Sequence, residues 1–326
     1  MPRDVPAVAR VDVLVIGAGP SGLFAAYYAG FRGLSVALID TLAEPGGQVA
    51  TMYPEKFIHD VAGLSAIRGR DLVTALVAQA GQYHPTYLLG RRATQLASVG
   101  DELEVGMADE TAIRAGALLI TAGIGGFTPR ALTAGKGWEG RGLVFFVPDP
   151  DEHAGKDVVV VGGGDSALDW AIALSPIARS VRLVHRRHTF RAHAATVQKA
   201  RELGVEIITD AEVTALRGDV QVRECEITVD GCSRVLPAQL IVAALGFIAE
   251  LGPIENWGVK TYRRTIVVDS TMKTTRERVF AAGDVAHYPG KVRLIATGFG
   301  EAATAVNNIA VLLRPDEHLF PGHSSG

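Results

Sequence analysis

The chain has 326 residues, of which 48% are hydrophobic and 21% charged, with a formal net charge of −3. That is long enough for about two domains with real cores, and the composition is that of a globular rather than a disordered chain. The charge gives no global pull toward nucleic acid, no apolar run approaches the ~18 residues of a membrane span, and two cysteines make no disulfide framework.

The opening MPRDVPAVARVD lacks the apolar core of a signal peptide, so the cytoplasm is the expected location. Residues 12–16 then read as a strand, Gly17 to Gly22 as a turn, 20–31 as a helix and 35–39 as a second strand ending at Asp40. Gly17 permits the tight bend, and Gly19 lets the backbone approach a pyrophosphate. Pro20 and Ser21 open the helix, while Gly22 allows close helix–strand packing. A glycine turn alone is weak evidence. Here a strand precedes it, a helix follows, and an acid stands at the spacing where a carboxylate accepts bonds from a ribose 2′-hydroxyl. That pattern suits an unphosphorylated adenosine, as in FAD.

The stretch 44–69 shows few periodic signals and several turn residues. Within it, Gly46 and Gly47 let backbone pass close to a ring system, and Gln48 suits a ribityl or flavin edge. Tyr53 reads equally well as a ring stacked on the isoalloxazine and as an ordinary packing aromatic. Residues 70–81 look helical, and 85–121 suggest short strands ending in Ala117–Thr121.

The same phrase then recurs. Residues 157–185 superpose on 12–40 with a constant offset and no gap. Gly162, Gly164 and Ala167 take the three glycine roles, with Asp165 and Ser166 opening the helix. The second strand, 181–184, delivers His185, Arg186 and Arg187 where the first copy has its acid, and Arg191 follows within reach. Cation clusters are usually solvated surface. At this place in a dinucleotide unit they instead suit a 2′-phosphate, because guanidinium forks match phosphate oxygens, and the second nucleotide reads as NADP(H). His193, Lys199 and Arg201 have no such placement and read as solvated helix surface, the alternative being a docking face for an acidic protein.

A hairpin is expected around 220–236, turning at Asp230-Gly231. Beyond it, Thr265–Asp269 and Val279–Ala282 read as strands, the latter completing the first sheet and closing at Asp284. A terminal helix over 297–313 would aim its N-terminus at the negative charge of a reduced flavin. The fold class expected is α/β: two Rossmann-like three-layer dinucleotide-binding domains, the NADP domain (126–247) inserted into an FAD domain (1–125 and 248–326).

A flavin and a nicotinamide on one chain imply electron transfer. Flavin disulfide reductases need a redox-active cysteine pair near the flavin. Neither Gly46–Pro54 nor Leu143–Pro150 contains a cysteine, and Cys225 and Cys232 flank the predicted hairpin turn, remote from both motifs. Electrons must therefore go directly to an external acceptor.

GAGPSG at 17–22, GGQ at 46–48, YPEK at 53–56, GGGDSALDWA at 162–171, HRRHTFRAH at 185–193, AAGD at 281–284, GFGEA at 298–302 and GHSS at 322–325 together resemble the ferredoxin–NADP reductases of the thioredoxin-reductase-like type. The glycine motifs are shared with thioredoxin reductases, whereas YPEK, GDSALDW, GHSS and the missing cysteine pair separate the two. The resemblance implies FAD contacts at Asp40, Gln48, Tyr53, Ala93, Phe127, Asp284 and Ser325, with Tyr53 stacked on one flavin face and His323 of a homodimer partner covering the other. It further implies reversible transfer, with hydride from NADPH to flavin N5 and single electrons to ferredoxin or flavodoxin. No acid–base residue is required. Two rivals are an NADPH oxidase or diaphorase with a small acceptor, and a flavin-bound redox sensor.

Overall fold

The computed structural model describes residues 9–320 and 322; His323 and Ser325 lie outside them. The chain divides into two compact units, one running to Gly126 and resuming at Ala249, the other spanning Phe127–Ile248.

In the first unit the strand Ala9–Ile16 lies between Val36–Ile39 and Ala112–Ile120, parallel to both. Thr86–Leu88 adds on parallel beyond Val36–Ile39, and Val279–Ala281 pairs parallel with Ala112–Ile120. The return of 279–281 to the first sheet follows the expectation from sequence. A hairpin, Ala93–Val99 and Glu102–Met107, pairs antiparallel with the start of Ala112–Ile120. Val13, Leu14, Val15, Leu118 and Leu119 are fully buried, as continuous apolar runs are in sheets covered on both faces. The helix Pro20–Phe31 packs against Gly69–Gly81 and Ile295–Leu313. Register matters most here: Ile16 pairs with both Ile39 and Ile120, and Ile120 with Ala281. Gly17, Asp40, Thr121 and the Gly283–Asp284 turn therefore leave the sheet at one edge, the carboxyl end where such sheets bind ligands.

The second unit repeats the plan with a different back layer. Asp157–Val161, Ser180–Val184, Glu206–Ile208, Leu240–Ala243 and Leu143–Val144 form a five-stranded parallel sheet. Alternation along Asp157–Val161 sends Val158 and Val160 toward the helices Asp165–Leu174 and Ala194–Glu202. Val159 and Val161 face an antiparallel sheet of Ala211–Gly218, Val222–Val229 and Cys232–Pro237. Successive side chains on a strand point to opposite faces, so one strand serves both cores. The hairpin turn has Asp230 and Gly231 both at positive φ, 51° and 78°, the two-residue geometry that Asp-Gly favours.

The stretch read as irregular contains a six-residue helix, Gly47–Met52, and a strand pair, Phe57–Ile58 with Ile67–Arg68. Elements this short carry too few periods to show in sequence. Among the described residues no helix is long and apolar enough to cross a membrane.

Candidate functional site: two glycine turns

At the first turn, Gly17 sits at φ +108°, and a side-chain carbon there would stand 2.6 Å from Thr121 O. Its N–H donates to Ile39 O at 2.8 Å, and its carbonyl accepts from Thr121 Oγ1 at 2.7 Å. A carbon on Gly22 would collide with Gly17 O, so helix Pro20–Phe31 reaches the strand only because that position is bare. The helix has Gly19 as N-cap, Pro20 in its first turn, no capping side chain and no acid in that turn. Its first N–H groups and positive dipole end are thus left for an outside anion. Gly46 N–H donates to Ala18 O at 2.8 Å, bringing the 44–47 loop over the turn. Gly47, at φ +56°, then faces Gly19 so closely that a side-chain carbon on Gly47 would lie 3.0 Å from Gly19 Cα. The two glycines form a backbone-walled slot that side chains would fill, which fits a pyrophosphate.

Asp40 is fixed by the same turn. Its Oδ2 accepts from Ala18 N–H at 2.7 Å and its Oδ1 from Leu42 N–H at 2.9 Å. Burial pushes its carboxyl above the usual range, opposed by the backbone N–H groups of Leu42 and Ala18. Each oxygen keeps lone-pair capacity for a hydroxyl donor and repels a phosphate. Gln48 opens the short helix, and its amide lies where a side-chain carbon on Gly123 would be, 2.9 Å from Nε2. Ala93 is buried at the start of its strand, and the Phe127 backbone lies in the strand Gly126–Pro129.

Tyr53 and Asp284 are brought together. Burial, then the carboxylates of Asp284 and Asp60, push the Tyr53 hydroxyl up to about 12, so it stays protonated at neutral pH. Asp284 lies in the short turn Gly283–Val285, its carboxyl raised by burial, with Lys291 and Arg293 opposing. Asp60 Oδ2 accepts from Ile295 N–H at 3.0 Å at the start of the last helix, a role the sequence did not announce. Ser21 occupies the space that a side-chain carbon on Gly283 or Gly298 would need.

At the second turn, a carbon on Gly162 would stand 2.5 Å from Ala244 O, and Gly164, the helix N-cap, has open space around it. Ala167 is buried, while Asp165 and Ser166 are exposed. Asp165 Oδ1 accepts from His193 N–H at 3.4 Å. His185 does not join the cations. It is 8% exposed, its ring lies against Gly163 and, at 4.9 Å, Phe190, and its Nε2 is 3.1 Å from Thr189 O. The imidazole supports the turn from inside.

Arg186, Arg187 and Arg191 are exposed, and Arg191 N–H donates to Gly163 O at 2.9 Å, docking that residue onto the glycine turn. Elsewhere in this unit Arg179 pairs with Asp157, Arg182 and Arg234 with Glu206, Arg217 with Glu226 and Arg223 with Asp219. Among the described residues these three guanidinium groups have no such partner, so their charge is available to an outside anion. Both cysteines are free: Cys225 is fully buried, its thiol pushed by burial up to about 12, and Cys232 is exposed across the hairpin. A thiol held that far above neutral pH forms no nucleophile.

Residues 11–308 match the family model for pyridine nucleotide-disulphide oxidoreductases. A ferredoxin–NADP reductase of Saccharopolyspora erythraea is 66% identical over 98% of each chain, and one of Thermus thermophilus is 45% identical over 97% of each. Among solved structures, the crystal structure of T. acidophilum thioredoxin reductase is 27% identical with a TM-score of 0.80, covering 92% of this chain and 98% of that one.

Proposed function

The chain belongs to the pyridine nucleotide-disulphide oxidoreductase family, among its ferredoxin–NADP reductases, and we propose that its two glycine turns divide the nucleotides by charge. The enzyme depends on FAD and NADP(H) and moves electrons between NADPH and ferredoxin. Bound FAD supplies the exchange between a two-electron donor and a one-electron acceptor. The chain's own residues bind and orient. Gly17, Gly19, Pro20, Ser21, Gly22 and Gly47 wall the FAD pyrophosphate, Asp40 takes the adenosine ribose, and Gln48, Tyr53, Ala93, Phe127 and Asp284 line the rest. The same reading adds Ser325 as an FAD contact and His323, supplied by a homodimer partner, as the cover of the other flavin face. Gly162, Gly164, Asp165, Ser166 and Ala167 receive the NADPH pyrophosphate on a turn braced by His185, and Arg186, Arg187 and Arg191 take the 2′-phosphate.

The observation that carries the reading is the end of the second strand in each unit: a backbone-bonded carboxylate at Asp40 against exposed arginines at 186, 187 and 191. The buried, high-pKa Cys225 supports direct electron delivery rather than a dithiol relay. Flavodoxin fits the same one-electron role, and we place the enzyme in the cytoplasm. Stopped-flow oxidation of the NADPH-reduced enzyme tests this. Ferredoxin should reoxidise it far faster than oxygen or quinone does; equal rates would favour a diaphorase, and slow turnover with every acceptor a sensor.

A further inference from the structure

Lys291 and Glu301 form an ion pair whose side chains are 6% and 5% exposed, and neither belongs to a glycine turn. Glu301 stands in the second turn of the helix Ile295–Leu313, amid the buried residues Gly298, Ala302 and Ala305. Its Oε2 accepts from the Gly283 N–H at 2.7 Å, while its Oε1 accepts from Tyr288 Oη at 2.6 Å and from Lys291 Nζ. One carboxylate thus ties three segments: the Gly283–Val285 turn, the residues that follow it, and the last helix.

We propose that Lys291 and Glu301 are positioning residues for the flavin, holding the Gly283–Asp284 turn against the start of the last helix as a charge-balanced pair. The proposal rests on the reading of Asp284 as an FAD contact. Gly283 is at φ +79°, and its N–H is committed to Glu301. On its other side the turn meets Ser21 of the first helix, which also fills the space beside Gly298. Asp284 therefore has little freedom as long as Glu301 accepts that N–H. Burying a carboxylate costs least beside a compensating cation, and Lys291 is the cation in contact with it. A hydrophobic pair of the same size would fill the volume but leave the Gly283 N–H unsatisfied. Beyond the effect of burial, both charges act on the Asp284 carboxyl, Lys291 lowering and Glu301 raising its pKa, and so bear on how readily a flavin beside it accepts electrons.

The test compares four holoenzymes: wild type, Glu301→Gln, Lys291→Met and the double variant. FAD loss on dilution and the flavin midpoint potential are measured in each, with NADP+ binding as a check on the other unit. Each single variant should lose FAD about tenfold faster. The potential should rise in Glu301→Gln, which leaves an extra positive charge, and fall in Lys291→Met, which leaves an extra negative one. The double variant should return close to wild type in both, because the introduced amide oxygen still accepts from Gly283 and no charge is stranded. Potentials that stay at the wild-type value, or a double variant as impaired as its two halves combined, would overturn the proposal. If a single variant fails to accumulate, the double variant decides: FAD retention near wild type supports the coupling, and its loss overturns it. A wild-type protein purified without flavin would instead sink the FAD reading on which this rests.

Discussion

The two nucleotide turns share a backbone plan and differ in where their charge is spent. At the first, the strand ends in Asp40, and both its oxygens accept backbone N–H groups, Ala18 in the turn and Leu42 just beyond the strand. At the second, the residue aligned with Asp40 is His185, and it too is spent internally, under Gly163. The cations that follow it are left exposed. The lesson is that the aligned position braces the turn in both copies. On the proposed reading it meets the nucleotide directly only in the first, where the carboxylate has lone pairs to spare. On the proposed reading, discrimination in the second falls to the exposed Arg186, Arg187 and Arg191, which would let the copies diverge in specificity without disturbing the turn.

The sharpest way to break this equivalence is at the third glycine position. Gly22→Ala puts a methyl into Gly17 O and within 2.7 Å of Thr121 Oγ1, whereas Ala167 at the matching place is already accommodated and buried. Gly22→Ala should destabilise the first unit by about 3 kcal/mol or more and strip it of flavin, read by urea unfolding and flavin content. Gly164→Ala meets open space and should cost less than about 0.5 kcal/mol of stability while weakening NADPH. A Gly22→Ala protein with full flavin and unchanged stability would mean the turns are interchangeable.

Next in size is Arg186→Ala with Arg187→Ala. Each charge-assisted contact is worth ~1.5–3 kcal/mol, so NADPH affinity should fall about tenfold to a hundredfold per residue while NADH binding barely changes. His185→Ala should weaken both nicotinamides and lower stability, since it removes the brace rather than a phosphate contact. Retained NADPH preference in the double arginine variant would move the 2′-phosphate site elsewhere.

The Tyr53 hydroxyl offers a smaller effect with a definite sign. Its pKa is about 12 in the folded chain against a usual 10, because ionisation must occur in a buried site near Asp284 and Asp60. The unfolded chain therefore loses this proton first. The stabilisation is complete below pH 10 and is lost as pH rises toward 12. Phenolate absorbance in wild type minus Tyr53→Phe should show a group titrating near 12 rather than 10. Tyr53→Ala should also raise flavin fluorescence if the ring stacks on the isoalloxazine. A phenol titrating at its ordinary value would put Tyr53 at the surface, away from Asp284.

How much of this was legible follows from what carries each signal. The turns, Asp40, the 230–231 hairpin and the return of 279–281 to the first sheet rest on local glycine chemistry and apolar runs, which a sequence displays directly. The inward turn of His185 was not legible, because adjacent charged letters at a strand end do not say which one the pleat sends inside. Nor was the junction of Gly283, Tyr288, Lys291 and Glu301, which depends on a helix folding back over a turn. Its one trace is an acid on the otherwise small and apolar face of 298–305. The six-residue helix at Gly47–Met52 was too short to announce itself.

The smallest expected effect concerns the thiols, and it bears on whether either turn needs them. Cys225 sits in the antiparallel layer of the second unit opposite Leu236, and Cys232 opposite Val229, on strands that carry neither glycine turn. In native protein a thiol reagent should label Cys232 alone, since Cys225 is fully buried with its thiol pushed up to about 12; unfolding should release the second. Replacing both by alanine removes one buried sulfur, at a cost of ~1 kcal/mol in stability. Ferredoxin reduction should stay within about twofold of wild type, because the flavin rather than a thiol carries the electrons. The wild-type enzyme should also leave thioredoxin and small disulfides unreduced. A disulfide reductase activity that disappeared in the double variant would place redox chemistry in the second unit's sheet, and direct delivery from the flavin would have to be abandoned.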